Sequence, residues 1–267
     1  MTEQRPPAAE IGIIGGSGFY ELLEDAQQLT VGTPYGEPSD AISLGTVGGR
    51  RVAFLPRHGA DHRFPPHRIN YRANLWALRS LGVARVLAPC AVGSLRRELG
   101  PGSVVVPDQL VDRTNGRVGT YCDDGAVHVS FADPYCASGR SAVLKAAVVT
   151  GDDVHDGGTM VVVEGPRFST RAESQWFASA GWSLVNMTGQ PEAALARELA
   201  LCYTSVALVT DIDAGIDAEE SVEQTEVMRV FAKNAERLRR LMLETVRQLP
   251  EDRGCMCPRA LDGIDPR

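Results

Sequence analysis

Two acids stand one residue apart at the end of an apolar run: residues 204–215 read TSVALVTDIDAG, so Asp211 and Asp213 flank Ile212. In an extended chain both side chains point the same way. Two carboxylates at the mouth of a buried strand are costly unless something binds them. An adenine ring would suit them, offering an exocyclic amine to one and a ring nitrogen in need of a proton to the other. The plainer reading is a turn over Asp213-Ala214-Gly215, with Asp211 capping a loop.

Other segments carry groups for an anion. An apolar strand runs into Gly15-Gly16-Ser17-Gly18, where glycines can turn the backbone and present N–H groups, and Ser17 adds a hydroxyl. The dinucleotide pattern fails, because Glu21 stands where its third glycine belongs, and no Gly-Lys-Ser/Thr follows for a P-loop. In FLPRHGADHRFPPHRINYRANLWAL, Arg57 and His58 follow a strand; the guanidinium fork matches phosphate oxygens and the imidazole can add a donor. His58, His62 and His67 lack zinc spacing, and Pro65-Pro66 breaks any helix that would align them. Phe168, at a strand-to-helix bend in VVVEGPRFSTRAES, is either core or a stacking face, and Glu164 with Arg167 reads as a surface pair. In LVNMTGQPE, Met187 is either core filler or an adaptable surface against a sugar.

These groups need a scaffold. The chain has 267 residues, 43% hydrophobic and 23% charged, as in ordinary globular proteins. A net charge of −7 argues against a nucleic-acid binder. No apolar run of membrane-spanning length and no signal-peptide core is present, so a cytoplasmic location is expected. Strands are predicted at Ile11–Ile14, Ala41–Leu44, Arg51–Leu55, Val83–Pro89, Ser103–Pro107, Thr159–Val163 and Ser205–Thr210, and helices at Ile69–Leu81, Thr170–Ala180, Ala193–Leu201 and Glu219–Leu249. Several strands are continuously apolar and so covered on both faces, which predicts one three-layer α/β domain over residues 10–250, a mixed sheet flanked by helices. Residues 1–9 and 251–267 read as flexible tails, and the Gly/Asp/Tyr-rich stretch 113–135 as a loop excursion suited to reaching a partner. The six cysteines are scattered; Cys90 and Cys202 read as small buried hydrophobes, and Cys255-Met256-Cys257 has no second Cys/His pair after it. Free thiols and no bound metal are expected.

Together the segments resemble the methylthioadenosine phosphorylase branch of the trimeric purine nucleoside phosphorylase family. The carrying motifs are GGSG at 15–18, PRHG at 56–59, NYRANLWAL from Asn70, AVGSL at 91–95, EGPRFSTRAES at 164–174, NMTGQPE at 186–192 and TDID at 210–213. The resemblance covers Ile11 to Leu249 and is specific as a set. It implies a homotrimer that transfers a purine nucleoside's pentosyl group to inorganic phosphate, a co-substrate, with no other cofactor. It implies that Ser17, Arg57, His58, the Ala91 N–H and Thr188 hold phosphate, with Cys90 standing where relatives often place a threonine. Phe168 would face the base, Asn186 and Met187 the nucleoside, Asp211 purine N7 and Asp213 the 6-amino group, while His128 would reach the neighbouring subunit's site. Val222, Gln224 and Val227 would line the 5′ end of the sugar, Gln224 in place of an apolar residue. Keeping Asp211 protonated at neutral pH would require lifting its pKa from about 3.9, at a cost of roughly 4 kcal/mol. A 6-oxopurine enzyme and a nucleoside binder without turnover are the rivals.

Overall fold

Continuous apolar runs become the middle of a sheet because both faces are then roofed by helices. A computed structural model describes residues 9–16, 22–23, 26–125, 127–217 and 222–263. Its strands are β1 (Ile11–Gly15), β2 (Gln27–Leu29), β3 (Ile42–Val47), β4 (Arg50–Pro56), β5 (Arg85–Ser94), β6 (Val104–Val106), β7 (Gln109–Arg113), β8 (Val154–Asp156), β9 (Thr159–Val163), β10 (Leu184–Asn186) and β11 (Cys202–Ile212). All belong to one mixed 11-stranded sheet, with β2-β3-β4-β1-β5-β10-β9-β7 as neighbours in turn. The sheet branches at β5. Its first residues pair in parallel with β1 and its last antiparallel with β10, while its other edge pairs in parallel with β11 from Arg85 to Ser94. Beyond β11 lie β6 and then β8.

Helices close both faces. On one side α1 (Tyr71–Ser80) packs with α4 (Gly189–Glu198); on the other α2 (Ala137–Thr150) packs with α5 (Gln224–Gln248). The α5 stripe buries Phe231, Leu238, Leu241, Met242 and Val246 against Val52, Phe54 and Leu208 of the sheet. Asn70 starts α1 by accepting from the Ala73 N–H, and Thr170 with Glu173 forms a reciprocal cap on α3 (Arg171–Ser179).

The expected three layers are therefore present, with differences. β5 runs on to Ser94, through a stretch read only as a motif, and α2 was not predicted. The expected start of α5 at Glu219 falls outside the described residues; the helix is seen from Gln224. The stretch after β7 has no helix or strand among its described residues up to 135. It does not simply leave its own core, however. Arg117 turns back to donate to the carbonyls of Met187 (2.9 Å), Gln190 (2.7 Å) and Glu164 (2.5 Å). Just past 250 the chain is tied back: Arg85 holds the carbonyls of Pro250 and Glu251, each at 2.8 Å, and Arg253 donates to the Ala200 carbonyl.

The two anchors of the excursion differ in exposure, and so should their worth. Arg117→Ala would strand three half-buried carbonyls and is expected to cost roughly 2–4 kcal/mol. Asp123→Ala, at the exposed Arg72–Asp123 pair, should cost under about 1 kcal/mol. Urea unfolding of the two variants checks the contrast.

Candidate active site

Parallel strands present their last residues on one edge of the sheet, where open α/β sheets bind ligands. Gly16 follows β1, Arg57 and His58 follow β4, and Asp211 lies near the end of β11, while β10 runs the opposite way along β5 and ends at Asn186. They converge on a cavity of about 330 Å³. One end holds Gly16, Arg57, His58, Cys90, Ala91 and Thr188; the other holds Phe168, Ser169, Asp211 and Asp213, with Met187, Gln224, Val227 and Met228 also in the wall.

Arg57 is fully committed to its place. Its Nε and Nη2 donate to the Glu192 carboxylate at 2.8 and 2.9 Å, Nη1 donates to the Pro89 carbonyl and Nη2 to that of Ile14, each at 3.2 Å. A guanidinium has five N–H donors, so these bonds leave one, on Nη1. Burial disfavours the charge, but the Glu192 carboxylate more than offsets this and holds the pKa above the ordinary value. Tyr203 supplies Glu192 with a further donor at 2.7 Å. Gly16 makes room: a Cβ there would lie 2.9 Å from Arg57 Nη1 and 3.0 Å from the Pro89 oxygen.

His58 is an acceptor rather than the expected donor. Its Nδ1 lies 2.8 Å from the Phe64 carbonyl, which can only accept, so Nδ1 carries the proton and Nε2 of the neutral ring is an acceptor. Burial pushes its pKa down to about 3, helped by Arg57 and by His62, on which it stacks at 4.5 Å. The ring is thus neutral at physiological pH and can receive a proton's hydrogen bond from a hydrogen phosphate. Cys90 lies within reach of Ser205 (3.5 Å), and burial raises its pKa, keeping it a thiol. Asn186 spends its amide on the scaffold: Oδ1 accepts from the N–H groups of Thr188 (2.7 Å) and Gly189 (2.6 Å), and Nδ2 donates to the Ala91 carbonyl (3.2 Å).

At the other end, a bulge between Val209 and Asp211 sets Asp211 opposite Gly93 of β5. A Cβ on Gly93 would lie 3.0 Å from Asp211 Oδ2 and 3.4 Å from Asp213 Cβ, so the two acids do share a side and need a glycine beside them. Thr210 donates to Asp211 at 2.7 Å and Ser174 to Asp213 at 2.8 Å. Burial lifts Asp211 to about 6, with Asp213 adding to the rise and the Thr210 bond opposing it. Burial raises Asp213 as well, against the bond from Ser174.

Several expectations change. Ser17 lies outside the described residues. Val222 does not line the cavity; His128, expected at a neighbouring subunit's site rather than in this cavity, is exposed. Glu164 pairs with Arg117, and Arg167 with Glu173, rather than with each other. Sequence reasoning gave Glu192 no role, because a Glu in the first turn of a helix reads as an ordinary dipole partner; Met228, Ser169 and Gly93 were likewise unmarked.

An α/β fold with an anion-suited end and a paired-carboxylate end in one cavity has the form of a small-molecule site. Comparison with known proteins narrows this. The family model described as the phosphorylase superfamily matches residues 10–247. A relative named purine nucleoside phosphorylase, from Streptomyces coelicolor, is 61% identical, covering 97% of this chain and 96% of that protein. One named S-methyl-5′-thioadenosine phosphorylase, from Mycolicibacterium smegmatis, is 59% identical over 92% of this chain and 93% of its own. The solved structure of methylthioadenosine phosphorylase from Schistosoma mansoni in complex with adenine superposes with a TM-score of 0.88 at 39% identity, over 92% of this chain and 93% of that one. The chain belongs to the phosphorylase superfamily; it is a pentosyltransferase of the purine nucleoside phosphorylase type, in its methylthioadenosine phosphorylase branch. Among the described residues no helix is long and apolar enough to cross a membrane.

Two variants test the site's energetics. A carboxyl that titrates near 6 in the fold instead of 3.8 favours the protonated form there, so its contribution is present at low pH and lost as pH rises through 6. Asp211→Asn should therefore stabilise the protein at pH 8, by at most roughly 3 kcal/mol, and by under about 1 kcal/mol at pH 4; melting curves at the two pH values decide. Glu192→Gln leaves Arg57 without its counter-charge and should cost about 3–5 kcal/mol in urea unfolding.

Proposed function

We propose that the enzyme catalyses phosphorolysis of S-methyl-5′-thioadenosine to adenine and 5-methylthioribose 1-phosphate, with tolerance of adenosine. The observation that carries this reading is the Asp211–Asp213 pair, the first half-buried and the second buried, facing, across one cavity, a site built from Arg57, neutral His58 and Thr188. Cleavage of the glycosidic bond places positive charge on the ribose and negative charge on the departing purine. Phosphate beneath the sugar stabilises the first; a hydrogen bond or proton from Asp211 to N7 stabilises the second. With a pKa near 6 in the empty site, Asp211 is mostly ionised at pH 7 and mostly protonated below 6, so proton delivery becomes harder as pH rises. Asp213 accepts from a 6-amino group and faces a 6-oxo group acceptor to acceptor. Phe168 stacks on the base and Met187 packs on the ribose.

The 5′ end supports methylthioadenosine together with adenosine. Val227 and Met228 offer apolar contact for a methylthio group, while Gln224 offers an amide to a 5′-hydroxyl. The family resemblance further suggests a homotrimer in which His128 completes a neighbour's cavity.

Adenine release should require phosphate, run fastest with methylthioadenosine, run measurably with adenosine and be at least a hundred-fold slower with inosine analogues. Phosphate-independent release, or equal turnover of inosine and adenosine, would defeat the proposal. Gln224→Val should slow adenosine while sparing methylthioadenosine. Asp213→Asn, whose amide can also donate, should narrow the gap between 6-amino and 6-oxo substrates. Active protein that scatters light as a monomer would remove the trimer.

A further inference from the structure

Far from the cavity, four sulfurs meet. Cys136 caps the start of α2, Cys202 opens β11, and Cys255 and Cys257 lie on the C-terminal tail, around a short 3₁₀ turn at Cys257–Arg259. Their Sγ atoms all lie within 4.8 Å of one another, and the approach of Cys202 to Cys255 is 3.3 Å. Cys136, Cys202 and Cys257 are buried and Cys255 is half-buried. Gly139, in the first turn of α2, is what permits the approach: a Cβ there would lie 2.0 Å from Thr204 Oγ1 on β11.

We propose that Cys136, Cys202, Cys255 and Cys257 form a structural zinc site. Four thiolates at one point match the closed tetrahedral shell that zinc takes from cysteine. With zinc–sulfur bonds of about 2.3 Å, a tetrahedron needs sulfurs about 3.8 Å apart, inside the range seen here. A disulfide would need pairs at about 2.05 Å; it gives no reason for four sulfurs to share one centre. Donors to sulfur are already in place. The Gly139 N–H points to Cys136 Sγ at 3.5 Å and Arg253 Nε to Cys202 Sγ at 3.4 Å. Such outer contacts orient metal ligands. Arg253 and the positive end of α2 also offset the negative charge of four thiolates around a divalent ion. Binding displaces the four thiol protons to solvent and changes no oxidation state.

The site has no vacancy for substrate and sits at the opposite end of β11 from Asp211, so its work is mechanical: it ties the tail to α2 and β11.

The test begins with reduced, chelator-treated full-length protein titrated with zinc and, separately, with cobalt(II). The expected result is one ion bound per chain, with cobalt giving thiolate charge-transfer absorption and the d–d bands of a tetrahedral ion. In Cys255→Ser/Cys257→Ser both signals should be lost while turnover of the nucleoside is kept. Zinc should raise the melting temperature of the natural protein by roughly 5 °C or more and leave the double variant unchanged. Failure of the reduced protein to take up either ion would overturn the proposal, since it needs no variant to fold. So would protein, as isolated, whose mass is four hydrogens short and recovers on reduction, the mark of two disulfides.

Discussion

A guanidinium and a carboxylate, each with a side chain only 1% exposed, hold the molecule's working edge together. Through Arg57 and Glu192 the end of β4 is fastened to α4, and through the carbonyls of Ile14 and Pro89 to β1 and β5. Tyr203 adds β11 to the same node. Such a pair gains little over a well-packed apolar substitute, and its value lies in geometry. It fixes one N–H of Arg57 at the cavity wall and keeps the cation charged in a place where a lone one would be discharged or solvated. The strands that deliver Gly16, Arg57, His58, Cys90 and Ala91 to the anion end, β1, β4 and β5, all meet at this junction.

The cavity's two ends are built by opposite uses of burial. At the anion end, desolvation strips His58 of its charge and Glu192 preserves that of Arg57, so one neutral acceptor and one permanent cation stand side by side. At the acid end, desolvation works against two carboxylates at once and lifts Asp211 to about 6. The protein thereby holds a cation and a protonatable acid in the walls of one cavity, each set by its own surroundings.

Much of this was legible in the chain, for identifiable reasons. Strands buried on both faces announce themselves as unbroken apolar runs, and the long amphipathic α5 as a stripe. The acids could be paired from their two-residue spacing alone. Other features lacked a local signature. α2 reads ASGRSAVLKAAVVT; its small residues press against the sheet, but Val148 and Val149 face outward, so no single apolar face stands out. The short strands β2, β8 and β10 owe their existence to pairing partners rather than to their own residues. The donor expected of His58 became an acceptor because of the Phe64 carbonyl, six residues on and across a turn. The cysteines gather from α2, β11 and the tail, and no spacing rule that looks along the chain can see a meeting made by the fold.

The bulge in β11 makes the acid site a matter of strand register as well as of side-chain type. Val209 lies beside Val92, while Asp211 lies beside Gly93, the next residue of β5; Thr210 is the extra residue between them. Side chains alternate along a strand, so the added residue reverses the face on which everything after it projects. Were the same residues paired without the bulge, Thr210 would stand opposite Gly93 and Asp211 opposite Ser94. The acids would then turn toward the side occupied by Val209, among Val92, Val105 and Ala207. Every side chain of the site would still be encoded, yet an even register would leave no acid beside Gly93.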